Sequence, residues 1–508
     1  MATATGSPAR RPARRLPGNR RLHVAVGALL VALAAAAALA LRGGGDAPPA
    51  DGAARLVPAD ALVFVHLSTD RSRPGTVRAR RLAERFPSYE ALRDRLLRRL
   101  SARGCAGTDV RDAAGREAAL ALLDARGGTA GSLVLVDTGS DHADARRRSC
   151  GAVSAQYLGR WLAIGQPASL RAAAALAAGR GRSLAEAPAY RRATNGLPAG
   201  RVADAWVSRD GVRRLLEPQG GVLAAAGALL DRPGLVGAAA AVDAGEDRAT
   251  LTVRSVADGL PPARPIEGRL ASAVPEDALA YVGARGLGPA LVSLLGVTGG
   301  GGQGLVRAAG ALRGALPDLR RALGAALDGE VALVLTPDLP APTLTLIGGA
   351  GDEAATRRAL RRAEAPLLKA LLGRAAGRPG SPAFRGVRVA GADARVLRVA
   401  GLQLAYAVFD GRLVASTRLD GIAKVRAAGG SIEEAAGYRA TVGETPRRAG
   451  SLVFLDFSQL LRLGEQTGLN DSRAYQAVKA DLQEVRAVGG STSRAGDVTT
   501  ATLVLSIP

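Results

Sequence analysis

Polar and apolar residues alternate along Ala249-Thr250-Leu251-Thr252-Val253 and again along Ala501-Thr502-Leu503-Val504-Leu505. Period two is the mark of strands with one face buried. The likeness of these two segments extends backwards through the chain. Val57-Pro58-Ala59-Asp60-Ala61-Leu62 opens a strand ending near Leu67, and Val274-Pro275-Glu276-Asp277-Ala278-Leu279 opens another ending near Ala284. Residues 115–123 then match 329–335, and Ser132-Leu133-Val134-Leu135-Val136 matches Thr343-Leu344-Thr345-Leu346-Ile347. A hairpin follows in each, with Gly159 and Gly411 where a tight turn needs positive φ. Ser183-Leu184-Ala185-Glu186 and Ser431-Ile432-Glu433-Glu434 read as capping boxes that open helices. Tyr190-Arg191 and Tyr438-Arg439 come next, and then strands over 202–208 and 452–458. This ordered register predicts two copies of one α+β unit, residues 56–262 and 271–508, each with a mainly antiparallel sheet. A short stiff connector, Gly259-Leu260-Pro261-Pro262-Ala263-Arg264-Pro265, joins them.

Ahead of the copies, residues 22–41 are apolar without a charge. At about 1.5 Å per helical residue such a run spans a hydrocarbon core, so it predicts a single transmembrane helix. Arg10, Arg11, Arg14, Arg15, Arg20 and Arg21 precede it and only Arg42 follows closely. By the positive-inside bias, residues 1–21 are then a cytoplasmic leader, 22–41 a plasma-membrane anchor, 42–55 a spacer, and the rest extracytoplasmic. A cleaved signal peptide is the rival, with Ala38-Leu39-Ala40 as a cleavage site, but the run is longer than the usual h-region. The whole fold expectation is therefore α+β, a transmembrane helix followed by two duplicated units.

Between 77 and 103, Leu82, Phe86, Tyr89, Leu92, Leu96 and Leu100 recur at helical spacing, broken at Pro87. Nine arginines accompany them. The stripe reads first as a core-facing surface with a solvated outer face. Its functional alternative is a basic surface for anionic lipid or wall polymer, with Arg80, Arg81, Arg95, Arg98 and Arg99 as the contacting residues.

The net charge of +23 suggests nucleic acid, yet six of those charges lie in the leader and aromatic residues make up only 3% of the chain. Stacking platforms are therefore not supplied, and nucleic acid is excluded as a partner. Cys105 and Cys150, the only cysteines, are expected to form a disulfide in an oxidising compartment.

Catalytic groups are sparse. His23 lies at the membrane edge, and His66 sits on a strand where the second copy has Gly283, which reads as a tolerated side chain rather than a base. His142 in Asp141-His142-Ala143-Asp144 lacks a partner at metal-ligand spacing. Gly299, Gly301 and Gly304 meet a dinucleotide-type pattern inside a glycine run without the acidic residue that should follow, and read as a loop. Neither a Gly-x-Ser-x-Gly elbow nor a Ser-x-x-Lys motif occurs. No catalytic, cofactor-binding or metal-binding residue is assigned from sequence.

The N-terminal anchor, the paired Pro-x-Asp-Ala openings and the strand-Gly-Arg-strand hairpins together resemble the bacterial envelope family called domain of unknown function 3352. The resemblance covers most of residues 56–508 and implies topology and duplication, with no activity attached. The functional expectation is a non-enzymatic, membrane-anchored binding or scaffolding protein of the cell envelope, with a lipid-like ligand or an anionic polymer as partner. Two alternatives stand beside it: an envelope hydrolase using carboxylates in a cleft between the units, and an anionic-surface binder working through 77–103.

Overall fold

The computed structural model describes residues 48–94, 115–123, 131–141, 148–150, 153–216, 234–262, 264–286, 328–338, 341–372, 380–399, 402–427, 429–443 and 449–508. Nine strands come from the first half: β1 (Val63–Ser68), β2 (Glu117–Leu123), β3 (Gly131–Asp137), β4 (Arg148–Cys150), β5 (Val153–Leu158), β6 (Trp161–Gly165), β7 (Ala203–Ser208), β8 (Leu235–Ala244) and β9 (Arg248–Ala257). The second half supplies β10 (Ala280–Arg285), β11 (Glu330–Thr336), β12 (Thr343–Gly349), β13 (Arg385–Val389), β14 (Ala392–Val399), β15 (Leu402–Phe409), β16 (Arg412–Ser416), β17 (Ser451–Leu455), β18 (Ala487–Ala495) and β19 (Val498–Ser506).

All the pairings are antiparallel and join into one sheet of 19 strands among the described residues. Its spatial order is β4-β5-β6-β3-β2-β1-β7-β8-β9-β19-β18-β17-β10-β11-β12-β16-β15-β14-β13. Read outward from the centre, the two halves follow the same connectivity, with β13 as an addition in the second. The centre is the β9–β19 ladder, where Leu251 stands opposite Leu503, the residue that matches it in the repeat. Thr250 faces Val504 and Thr252 faces Thr502, so the two edges meet around a pseudo-two-fold axis.

This corrects the expectation of two duplicated α+β units, each with its own sheet. Each half ends in a long alternating strand whose outer edge carries unpaired N–H and C=O groups, and pairing equivalent edges satisfies both rows. The anchor in that fold expectation has no structural support either. Among the described residues no helix is long and apolar enough to cross a membrane, and 22–41 lies outside them.

The helices that matter here are α1 (Pro74–Ala83), α2 (Pro167–Ala177), α3 (Pro188–Thr194), α4 (Glu353–Leu372), α5 (Leu419–Ala427) and α6 (Ala436–Thr441). Helices α2 and α3 cover the first half over a core containing Phe64, Leu133, Leu135, Leu170, Tyr190 and Trp206. Helices α5 and α6 cover the second half over Tyr281, Ile347, Ile422, Tyr438 and Phe454. Val256 of β9 belongs to the first core, and across the ladder Val498 of β19 packs against it. Ala487 of β18, opposite Ser506, belongs to the second core. Because side chains alternate along strands, this register puts both helical layers on the same face of the sheet. Helix α1 packs on the other face, through Ala79 and Leu82 against Ala244, Leu505 and Ile507. So does α4, which closes a core of Leu333, Leu397, Tyr406 and Leu413 with Ala359, Leu360 and Ala363.

The repeat hairpins turn with positive φ at Gly159 (61°) and Gly411 (67°), but at different turn positions: Gly159 is the first turn residue, whereas Gly411 follows Asp410 at φ 50°. The β13–β14 hairpin uses the same two-residue left-handed turn with Ala390 at φ 47° before Gly391. Alanine has no side chain that helps it there, and left-handed backbone costs about 1–2 kcal/mol. Ala390→Gly, or Ala390→Asn, is expected to raise stability by about 0.5–1 kcal/mol, read as a higher denaturant midpoint at unchanged slope.

Candidate functional site: a buried histidine among carboxylates

Strand β1 is buried along its whole length. His66, fully buried on it, points to the same side as Phe64, toward the helical layer. The adjoining strands bring acids to it by register. Asp204 on β7 is the direct cross-strand partner of His66, and Glu117 on β2 lies on the diagonal, opposite Ser68. His66 Nδ1 lies 3.2 Å from Asp204 Oδ1, and Nε2 lies 3.2 Å from Glu117 Oε2. The second contact is an ion-pair distance without hydrogen-bond alignment, so Nε2 has no hydrogen-bond partner.

The remaining members come from the chain around the sheet. Glu117 accepts hydrogen bonds from the backbone N–H of Gly52 (3.0 Å) and Ala53 (3.3 Å), holding the start of the short helical turn Ala53–Leu56. That places Asp51 over the histidine. Asp51 Oδ2 accepts from the Tyr190 hydroxyl at 2.8 Å, while Asp51 Oδ1 is buried without a partner. Asp204 Oδ1 also accepts from Arg201 Nε at 2.9 Å. Phe64, Tyr190 and Trp206 close the site with edge-to-face contacts at 6.0 Å between ring centroids.

Burial opposes a charge on His66, but Asp204, Glu117 and Asp51 outweigh it and raise its pKa to about 10. Burial likewise pushes Asp204 up, yet His66 and Arg201 hold it below the ordinary carboxylate value. Asp51 is raised, by burial first, partly offset by His66. The histidine shift sets a testable sign. A group with raised folded pKa stabilises fully below its unfolded value of about 6.5 and loses that contribution as pH climbs to the folded one. Stability is therefore expected to fall as pH rises from neutrality through about 10. The decline should be absent in His66→Gln, measured by urea unfolding across pH.

The second half provides an internal comparison. Tyr281, Tyr438 and Phe454 repeat the aromatic closure, and Glu330 repeats the cap, accepting from Leu270 N–H at 3.2 Å. The polar centre is replaced. Gly283 stands for His66, Leu452 for Asp204 and Gly268 for Asp51. A Cβ at Gly283 would collide with the Tyr281 hydroxyl, and Ile266 lies against the same spot. One framework thus closes over either an uncharged filling, the buried Tyr281 hydroxyl included, or an ionic one, so the ionic cluster is not a requirement of the fold.

The residues singled out from sequence fall elsewhere. Arg80 and Arg81 are exposed on α1, with Arg80 paired to Glu84. Nearby Arg78 and Arg85 are committed to the backbone carbonyls of Ala244 and Ile507. Arg95, Arg98, Arg99, Cys105, His142 and the glycine run 299–304 lie outside the described residues, as does the Cys150 side chain, so the disulfide expectation falls there too. Asp51, Glu117, Asp204, Arg201 and Tyr190 were missed. The sequence match of 202–208 with 452–458 sets Phe454 against Asp204; the strand register shifts it by two and sets Leu452 there, so the charged residue at an inward strand position did not stand out.

Neither a protein-family model nor a curated protein matches this chain. Among solved structures, one titled "Structure of crystal form III of TP0453" is similar over 44% of this chain and 86% of its own, at 8% identity and a TM-score of 0.25. A likeness that slight carries no argument.

Proposed function

We propose that the protein is a non-enzymatic binding or scaffolding protein whose working part is the long sheet. The supporting observation is the β9–β19 ladder: nine consecutive residue pairs fuse the two halves, with both helical layers on one face. A sheet so joined is a rigid platform rather than two hinged lobes with a cleft. On the face away from those helices, Leu251, Val253, Leu503 and Ala501 come together at the pseudo-two-fold axis. Leu503, at 36%, is one of the two large apolar side chains left exposed among the described residues. This strip favours an amphiphile with an apolar chain as ligand.

Glu117 and Asp204, the carboxylates gathered at His66, are 3% and 2% exposed and so out of reach of a substrate. The test is native mass spectrometry of the full chain purified in mild detergent. The proposal expects a retained amphiphile, recovered chemically intact, that Leu503→Asp releases without lowering the thermal midpoint. Recovery of cleaved amphiphile, or an unchanged bound mass in Leu503→Asp, contradicts it.

A further inference from the structure

We propose that Asp51, His66 and Glu117 form a divalent transition-metal site, with Zn²⁺ the best fit. One donor atom from each lies within 4.8 Å of the others, and His66 Nε2 and Glu117 Oε2 are already 3.2 Å apart. Bonds of about 2.1 Å to N and O donors in a tetrahedral site place donors roughly 3.4 Å apart, so the set closes when its members draw in by up to about 1.4 Å. Two atoms that these residues can offer, His66 Nε2 and Asp51 Oδ1, are buried with no hydrogen-bond partner, Nε2 facing Glu117 at ion-pair distance only. The histidine itself is fully buried and aimed into the group. Such orphaned atoms are costly unless something takes their place.

The surroundings match what metal ligands require. When the imidazolium gives up its Nε2 proton to an incoming cation, Asp204 at Nδ1 holds the tautomer that turns the Nε2 lone pair to the ion, the carboxylate–histidine arrangement found behind metal-bound imidazoles. Tyr190 orients Asp51 through the other carboxylate oxygen, and the Gly52 and Ala53 amides orient Glu117. Charge closes as well: a dication balances Asp51 and Glu117, while Arg201 balances Asp204. With no cation and a protonated histidine, three carboxylates face two positive groups. The mixed N/O donor set with one imidazole suits zinc or a neighbouring transition ion rather than calcium or magnesium. Because the site is closed over by Phe64, Tyr190 and Trp206, its role is structural: it staples the segment entering the fold at Asp51 to β1 and β2.

The test uses the full chain, stripped with chelator and titrated with Zn²⁺ alone, with Co²⁺ as a spectroscopic probe. The expected result is one ion per chain, a raised thermal midpoint and the visible d–d bands of a cobalt ion held by three protein donors, with a water as the fourth ligand. Asp51→Asn and Glu117→Gln, which keep size and shape, should each weaken binding at least tenfold. Asp204→Asn, acting through His66, should weaken it about 10- to 100-fold. Asp141→Asn, on an exposed residue, should leave it unchanged. Absence of stoichiometric uptake by the unmodified protein overturns the proposal, as does uptake that Asp51→Asn and Glu117→Gln leave unaltered.

Discussion

Replacing Asp204 with leucine lowers the unfolding free energy by about 3–5 kcal/mol, because it strips one partner from a buried ion network and leaves His66 and Arg201 facing an apolar surface. The same leucine is at home in the other half of the molecule, at Leu452. There it is accompanied by Tyr281 and Gly283, which fill the space that Phe64 and His66 define in the first half. Combining Asp204→Leu with His66→Gly and Phe64→Tyr should therefore recover at least half of the loss. Neighbouring substitutions that share a cavity are not additive, and here the sign of the coupling is fixed by an arrangement the chain already contains. Equilibrium unfolding of the single and triple variants checks this. A triple variant as unstable as the sum of its parts would mean that the two halves are not alternative fillings of one framework.

A proline at Thr502 should have the second large effect. Strand β19 is paired on both sides, with β18 and β9, so every N–H along it has a ladder partner or sits in a tight pair. Proline removes a donor and leaves an acceptor unsatisfied, at about 2 kcal/mol or more for that bond, and its ring also disturbs the neighbouring strand. The consequence extends past the local loss. With the junction opened, Thr502→Pro should unfold in two transitions where the unmodified protein unfolds in one, seen by calorimetry. A single, merely shifted transition in the variant would place the cooperativity elsewhere.

Much of the fold was legible because strands and turns are local. The period-two endings at 249–253 and 501–505 and the positive-φ hairpin glycines appear where the pattern puts them. The Ser183 capping box forms too, but it opens a short 3-10 turn, Leu184–Glu186, and α3 starts later, at Pro188. The Ser431 box is only half formed: its hydroxyl accepts from Glu433 N–H at 3.0 Å, and the helix itself starts later, at Ala436. The joining of the two sheets was not legible. Alternation says that a strand has an inner and an outer face, but nothing in it says whether a free edge meets solvent, a helix or its own repeat.

The buried cluster was hidden for a similar reason. Asp51, His66, Glu117 and Asp204 span more than 150 positions, and only the register of β1 against β2 and β7 brings them together. His66 read as tolerated because its counterpart is glycine. Compared by strand register, the same difference, together with Asp204 against Leu452, is what marks the site.

The central claim is that the two halves share one sheet through β9 and β19, and hydrogen exchange of the backbone amides tests it most directly. The ladder predicts that amides across 248–257 and 498–506 exchange as slowly as those of β8 and β18, with protection strongest around Leu251 and Leu503. Fast exchange along the facing edges of both strands, beside slow exchange in β8 and β18, would contradict it.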